Sequence, residues 1–213
     1  MQAAKLLEEH AAAEEGEYGH HLTDRWVDHM HQGVYLDAAH SMSAVAMLAP
    51  FIESLFSAVF REIRRREEKE RPPAAMDKRT RLSRDLLWNP HLVLNAREVN
   101  DDLVKGIEEL AEATDLATHL PKDYLKTLKA LFTYRNKMVH LGFEWPVEER
   151  AKFANAVVQQ KWPTAWFSQA TSGGEPWIYY MSSVFIEHCL KTIDGILIGI
   201  GAYLRDQEAA DGK

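Results

Sequence analysis

The sequence predicts an all-α fold, a helical bundle of about five to seven helices. Two observations carry the fold class. Apolar residues recur at intervals of three and four along most of the chain, the period of a helix buried on one side. Pro72-Pro73, Pro121 and Gly142 fall between the periodic stretches, where helices stop and restart. Nothing reads as a run of strands.

In chain order, residues 1–15 are rich in Ala and Glu and suit a helix that Gly16 and Gly19 break. Residues 34–71 set Val45, Leu48, Ile52, Leu55, Phe56, Val59 and Ile63 on one stripe before running into charge at Arg64. That is a long helix, kinked or restarted at Pro50. Residues 72–95 read as an irregular basic connection with a turn at Asn89-Pro90. Asn100 is placed to cap the next helix, which carries Val99, Leu103, Ile107, Leu110 and Thr114 inward and Asp101 and Asp102 in its first turn. Pro121 opens a helix whose stripe is Leu125, Leu128, Leu131, Phe132, Arg135, Met138 and Val139. A shorter helix over residues 148–160 leads into an aromatic, Gly-rich loop, 162–177, with a turn at Ser172-Gly173-Gly174. The last long helix covers residues 178–206. Gly195 and Gly199 on it allow close packing.

The 213 residues suffice for a single helical domain with a sizeable core. Residues 1–33 form its N-terminal arm or helix, 34–142 the core helices and 143–213 the C-terminal helices. With 46% apolar and 27% charged residues, the composition is that of an ordinary soluble globular protein. A net charge of −7 argues against wholesale coating of nucleic acid, but the charge is unevenly spread. Between Arg61 and Arg84, ten Lys/Arg against five Asp/Glu leave +5, so the remainder carries −12. The one cysteine, Cys189, excludes an internal disulfide and suits a reducing cytoplasm, the expected location. The first residues lack the basic end and apolar run of a secretory signal. Residues 178–204 are strongly apolar, but Glu187, Lys191 and Asp194 interrupt them, so a core helix and no membrane partner is expected.

The segment Arg135-Asn136-Lys137-Met138-Val139-His140 ends its helix and is followed at once by Leu141-Gly142, a helix stop. Arginine supplies a permanent cation, and histidine a group that holds or releases a proton near neutral pH. Metal-free RNA cleavage needs that pair: one group moves a proton at the attacking 2'-hydroxyl or the leaving oxygen, the other steadies the charged phosphorane. At about 100° per residue, positions five apart lie some 140° apart around a helix, whereas Asn136 and His140 share a face. Arg135 falls on the apolar stripe, where a guanidinium wants an anion or a carboxylate. A second reading of the same residues pairs Arg135 with a buried acid such as Glu53 and lets His140 cap its helix.

The pattern Arg-Asn-x-x-x-His resembles the signature of the HEPN superfamily, all-helical domains that include many RNases of bacterial toxin, defence and stress systems. The resemblance is sharp over about residues 124–142 and architectural over 40–120. It implies a homodimer in which the motifs of both copies line one cleft and cleave RNA without metal or cofactor. His140 is then general acid/base, Arg135 contacts the scissile phosphate, and Asn136 orients His140 or binds the phosphate. Many members add an acidic or polar residue from an earlier helix, for which Glu53 is the candidate. A protein antitoxin or regulator is a further partner the resemblance implies. The toxins regulated by nucleotidyltransferase antitoxins carry a tyrosine two residues after the histidine, where this chain has Gly142. A non-catalytic HEPN-like module that binds protein or nucleotide partners is the alternative.

Arg61, Arg64, Arg65 and Arg66 are candidates for RNA-backbone contact, or the charged end of a solvated helix. Six histidines in the first forty residues (His10, His20, His21, His29, His31 and His40) lack HExxH or His-x3-His spacing, so no metal site is assigned. The tryptophans of the 162–177 loop could stack bases, or form a satellite core.

Overall fold

In the computed structural model, residues 23–70, 88–94, 99–172 and 175–211 are described. They form helices α1 (Thr23–Glu70), α2 (Leu103–Ala113), α3 (Tyr124–Leu141), α4 (Val147–Gln159) and α5 (Ser183–Asp211). Two antiparallel hairpins interrupt them, β1 (Leu92–Leu94) with β2 (Val99–Asp101) and β3 (Phe167–Ser172) with β4 (Glu175–Met181). The protein is mostly helical, as its apolar period predicts. The expected helix at 1–15, His10, His20, His21 and residues 71–87 of the basic connection lie outside the described residues.

The hairpins correct the expectation that no strands occur. Ile178, Tyr179, Tyr180 and Met181 are all buried, so β4 is covered on both faces and shows no apolar-polar alternation. Residues 167–172 and 175–181 pair as antiparallel strands where the sequence reading placed part of a loop and the start of the last helix. The ladder pairs Phe167 with Met181 and Gln169 with Tyr179, with an irregularity between Ala170 and Thr171. Asn100 is a strand residue opposite Val93, and the cap of α2 is Asp102, whose Oδ1 accepts the Lys105 N–H at 3.1 Å. Asn89 does build its turn, accepting the His91 N–H at 3.0 Å. Pro121 does not open α3 but accepts the Tyr124 N–H at 3.0 Å in the turn before it.

α1 runs unbroken for 48 residues with Pro50 inside it. Pro50 cannot donate to the carbonyl of Ala46, but both residues are exposed, so water reaches the orphaned oxygen. The stretch His31–Arg66 is long and apolar enough to cross a membrane, with mean hydropathy 1.7 over its best window. Its Val45, Ile52, Phe56 and Phe60 are buried within the protein, along with Asp37 and Ser41, and 33% of that window is buried in all.

Contacts divide the chain into two compact units. The first takes residues 1–47 and 133–188. Its core is aromatic: Trp145 stacks on Tyr179 at 5.7 Å, Phe153 meets Phe167 edge-on at 4.9 Å, and Trp166 stacks on Phe185 at 4.5 Å. Trp162 and Trp166 are buried here, which resolves the 162–177 loop as core for those two rings. Arg150 of α4 ties the unit together by donating to the carbonyls of Trp145 and Pro176, both at 2.6 Å. A smaller cluster joins Val34 and Ala38 to Ile178 and Tyr180, with Phe143 and Trp177 packed against it.

The second unit takes residues 48–132 and 189–213. Phe56 stacks with Phe60 at 5.8 Å and with Tyr124 at 6.5 Å. Gly199 has the role its position suggested, since a Cβ there would lie 2.2 Å from the His119 carbonyl oxygen. Next to that contact, His119 Nε2 meets Asp206 Oδ2 at 3.0 Å.

Candidate functional site

α3 delivers the Arg-Asn-x-x-x-His segment and ends where the sequence predicts. Gly142 takes φ +72, and its N–H bonds the Met138 carbonyl at 3.0 Å. The Gly142 carbonyl is in turn taken by the indole N–H of Trp145 at 2.9 Å. The chain therefore leaves the helix through a closed, left-handed turn, with His140 exposed in the last helical turn.

Arg135 is half-buried on the apolar side of α3, between the buried Leu131, Phe132 and Met138. Its Nη1 donates to Asn136 Oδ1 at 2.9 Å. Asn136 thus serves the guanidinium, and it lies on the exposed face it shares with His140. Val139, beside His140, is 61% exposed. The site is an open helix end with one cation, one amide and one imidazole, bordered by an apolar residue.

The rotation of α3 is fixed from behind. The Met181 N–H donates to Ser41 Oγ at 2.7 Å, Ser41 and Tyr134 hydroxyls are 2.9 Å apart, and Tyr134 donates to the Tyr179 carbonyl at 3.2 Å. Since the Ser41 oxygen accepts from Met181 and the Tyr134 proton goes to Tyr179, Ser41 donates to Tyr134 and every group in the chain is satisfied. Burial pushes the Tyr134 phenol well above its ordinary range, so it stays a neutral donor. Tyr134 immediately precedes Arg135, and this lock sets which way the motif faces.

On the other side, Lys137 forms an ion pair with Glu149 of α4, which also receives Lys152 at 2.6 Å. Hydrogen bonds from Lys137 first and Lys152 next hold the Glu149 carboxyl down at about 2. The sequence reading missed this pair because its partners lie on different helices, twelve positions apart. No i,i+4 spacing encodes such a contact.

The remaining candidates, Glu53 and the basic residues from Arg61 to Arg66, lie in the second unit. Glu53 belongs to the second unit, where its Oε1 meets His91 Nε2 at 3.2 Å. Of the basic residues, Arg65 makes a bidentate pair with Glu62 at 3.0 Å, and Arg66 reaches Glu62 at 3.3 Å and Glu208 at 4.0 Å. Those contacts pull the Glu62 carboxyl below its usual range and offset part of the positive charge. Arg61 is exposed and Arg64 half-buried. With Ala58, Glu62 and Arg65 they line an open hollow of about 310 Å³.

Comparison of the chain with family models, curated proteins and solved structures found no match, so the residues themselves carry the functional reading.

Proposed function

We propose that the chain is a HEPN-like, metal-independent endoribonuclease of a bacterial defence or stress system, acting as a homodimer with the site at the interface. The observation that supports this most is the geometry of the α3 terminus, with His140 exposed in the last turn and Arg135 held by Asn136 at 2.9 Å. In this reading His140 takes the proton from a ribose 2'-hydroxyl as it attacks the adjacent phosphorus, and returns a proton to the departing 5'-oxygen. The products are a 2',3'-cyclic phosphate and a 5'-hydroxyl. Arg135 neutralises charge that builds on the phosphorane, with Asn136 orienting the guanidinium. Because Arg135 and His140 splay around one helix, a second copy related by a two-fold axis supplies the complementary group, and the exposed Val139 gives that contact an apolar element. Arg61, Arg64, Arg65 and Arg66 hold the RNA backbone through charge, so binding should weaken steeply with salt.

The exposed apolar Val139 and Val147, 61% and 68% accessible, favour a second reading, a non-catalytic HEPN-like module that binds a protein or nucleotide partner on this face. One experiment separates the two. Wild type and His140→Ala are incubated with mixed RNA in EDTA, with folding checked by circular dichroism. The nuclease reading expects wild type alone to cleave, leaving cyclic phosphate ends. Equal cleavage by both, or none by a well-folded dimer, favours the binding module.

A further inference from the structure

Beyond the turn at Gly142, the chain places Phe143 and Glu144 within four residues of His140. Tyr35 of α1 packs edge-on to Phe143 at 6.4 Å and to Trp177 of β4 at 5.5 Å, and His31 approaches Trp177 at 5.0 Å. This group differs from the buried rings of the same unit. Tyr35 is 39% exposed, and Phe143 and Trp177 are half-buried over Val34, Ala38, Ile178 and Tyr180. The Tyr35 phenol donates to Glu144 Oε1, which steadies an exposed carboxylate at the edge of the rings. Among the described residues Glu144 takes no other hydrogen bond, so Oε2 and the second lone pair of Oε1 remain for a ligand.

Half-exposed rings beside a fixed polar anchor suit a single-stranded base, with stacking for affinity and edge contact for choice. A carboxylate only accepts hydrogen bonds. Guanine presents two adjacent donors, N1–H and the N2 amino group, to such an acceptor. Adenine and cytosine present one amino group beside an acceptor nitrogen. Uracil presents one N–H between two carbonyls, which repel the carboxylate. We propose that Tyr35, Phe143, Trp177 and Glu144 form a base-binding site that selects guanine next to the phosphate cleaved at His140. The identity of the ligand as RNA rests on the endoribonuclease reading; the preference for guanine rests on the carboxylate.

The test uses the full-length His140→Ala protein, which binds without cutting, and a short oligouridine with or without one central guanine. Fluorescence anisotropy should show tighter binding of the guanine oligomer by about tenfold or more, as expected for hydrogen bonds to a charged acceptor. Adding Glu144→Gln should erase that preference, and adding Trp177→Leu should weaken both oligomers alike. Should Glu144→Gln fail to fold, Tyr35→Phe, which frees the carboxylate from its anchor, should reduce the preference instead. Equal binding of the two oligomers, or a preference that survives Glu144→Gln, overturns the proposal. Wild type that cleaves RNA with no bias toward guanine refutes this site alone. Guanine preference in a protein that cleaves nothing refutes the nuclease reading and leaves the site standing.

Discussion

Replacing Tyr134 by Phe deletes one oxygen from a fully buried position and keeps the ring in place. The oxygen joins Ser41 at 2.9 Å to the Tyr179 carbonyl at 3.2 Å, and the Ser41 oxygen goes on to the Met181 N–H at 2.7 Å. Without it, the Ser41 proton has no acceptor and the Tyr179 carbonyl loses a donor. A buried polar group stripped of its partner costs about 1–3 kcal/mol. For a chain of this length each kcal/mol lowers Tm by about 2–4 °C. Ser41→Ala should cost a similar amount, because it strands the buried Met181 amide. The double variant should fall short of the sum by at least about 0.5 kcal/mol, since the groups belong to one network. Thermal melts of the four proteins supply the cycle. Singles within about 0.5 kcal/mol of wild type, or strict additivity, would refute the claim that this chain of hydroxyls locks α3. If the lock sets the facing of Arg135 and His140, Tyr134→Phe should also reduce RNA cleavage while the protein remains folded.

Two further outcomes follow from ionisable groups. Glu149 is held at about 2 in the fold against 4.5 for an ordinary glutamate, so its contribution is complete above about pH 4.5 and disappears as pH falls toward 2. Urea midpoints of wild type and Glu149→Gln should therefore converge across that window, and a constant gap would contradict the pairing. Cys189 is 1% exposed and burial pushes its thiol up to about 12. Iodoacetamide at pH 8 should label it only after denaturation, and rapid labelling of native protein would show that α5 opens there.

The parts of the structure that the sequence made legible are those decided by neighbours along the chain. The 3.6-residue period located the α1 stripe from Val45 to Ile63, and Leu141-Gly142 marked where α3 stops. Arg135, on the apolar stripe, is half-buried as a residue. The parts that escaped are set by distant partners. β4 hid its strand period because both faces are covered, a consequence of what packs on it rather than of its own residues. The Ser41–Tyr134 bond joins positions 93 apart, and Tyr35 reaches Glu144 across 109. No local spacing encodes either contact. Asn100 and Asp102 are both residue types that suit a helix cap, and the hairpin that takes Asn100 into a strand leaves the cap to Asp102.

The division of the chain has a consequence for how the protein is made. Each unit is assembled from two separated segments, 1–47 with 133–188 and 48–132 with 189–213. The Met181–Ser41 bond closes a loop of 140 residues. On a ribosome adding about 5–20 residues per second, Ser41 waits on the order of ten seconds before Met181 exists to meet it. The first unit therefore waits for residues 133–188 and the second for residues 189–213. Contacts this distant also slow refolding relative to a bundle of sequential helices. A fragment cut before residue 181 lacks the Met181–Ser41 bond that helps set the α3 terminus.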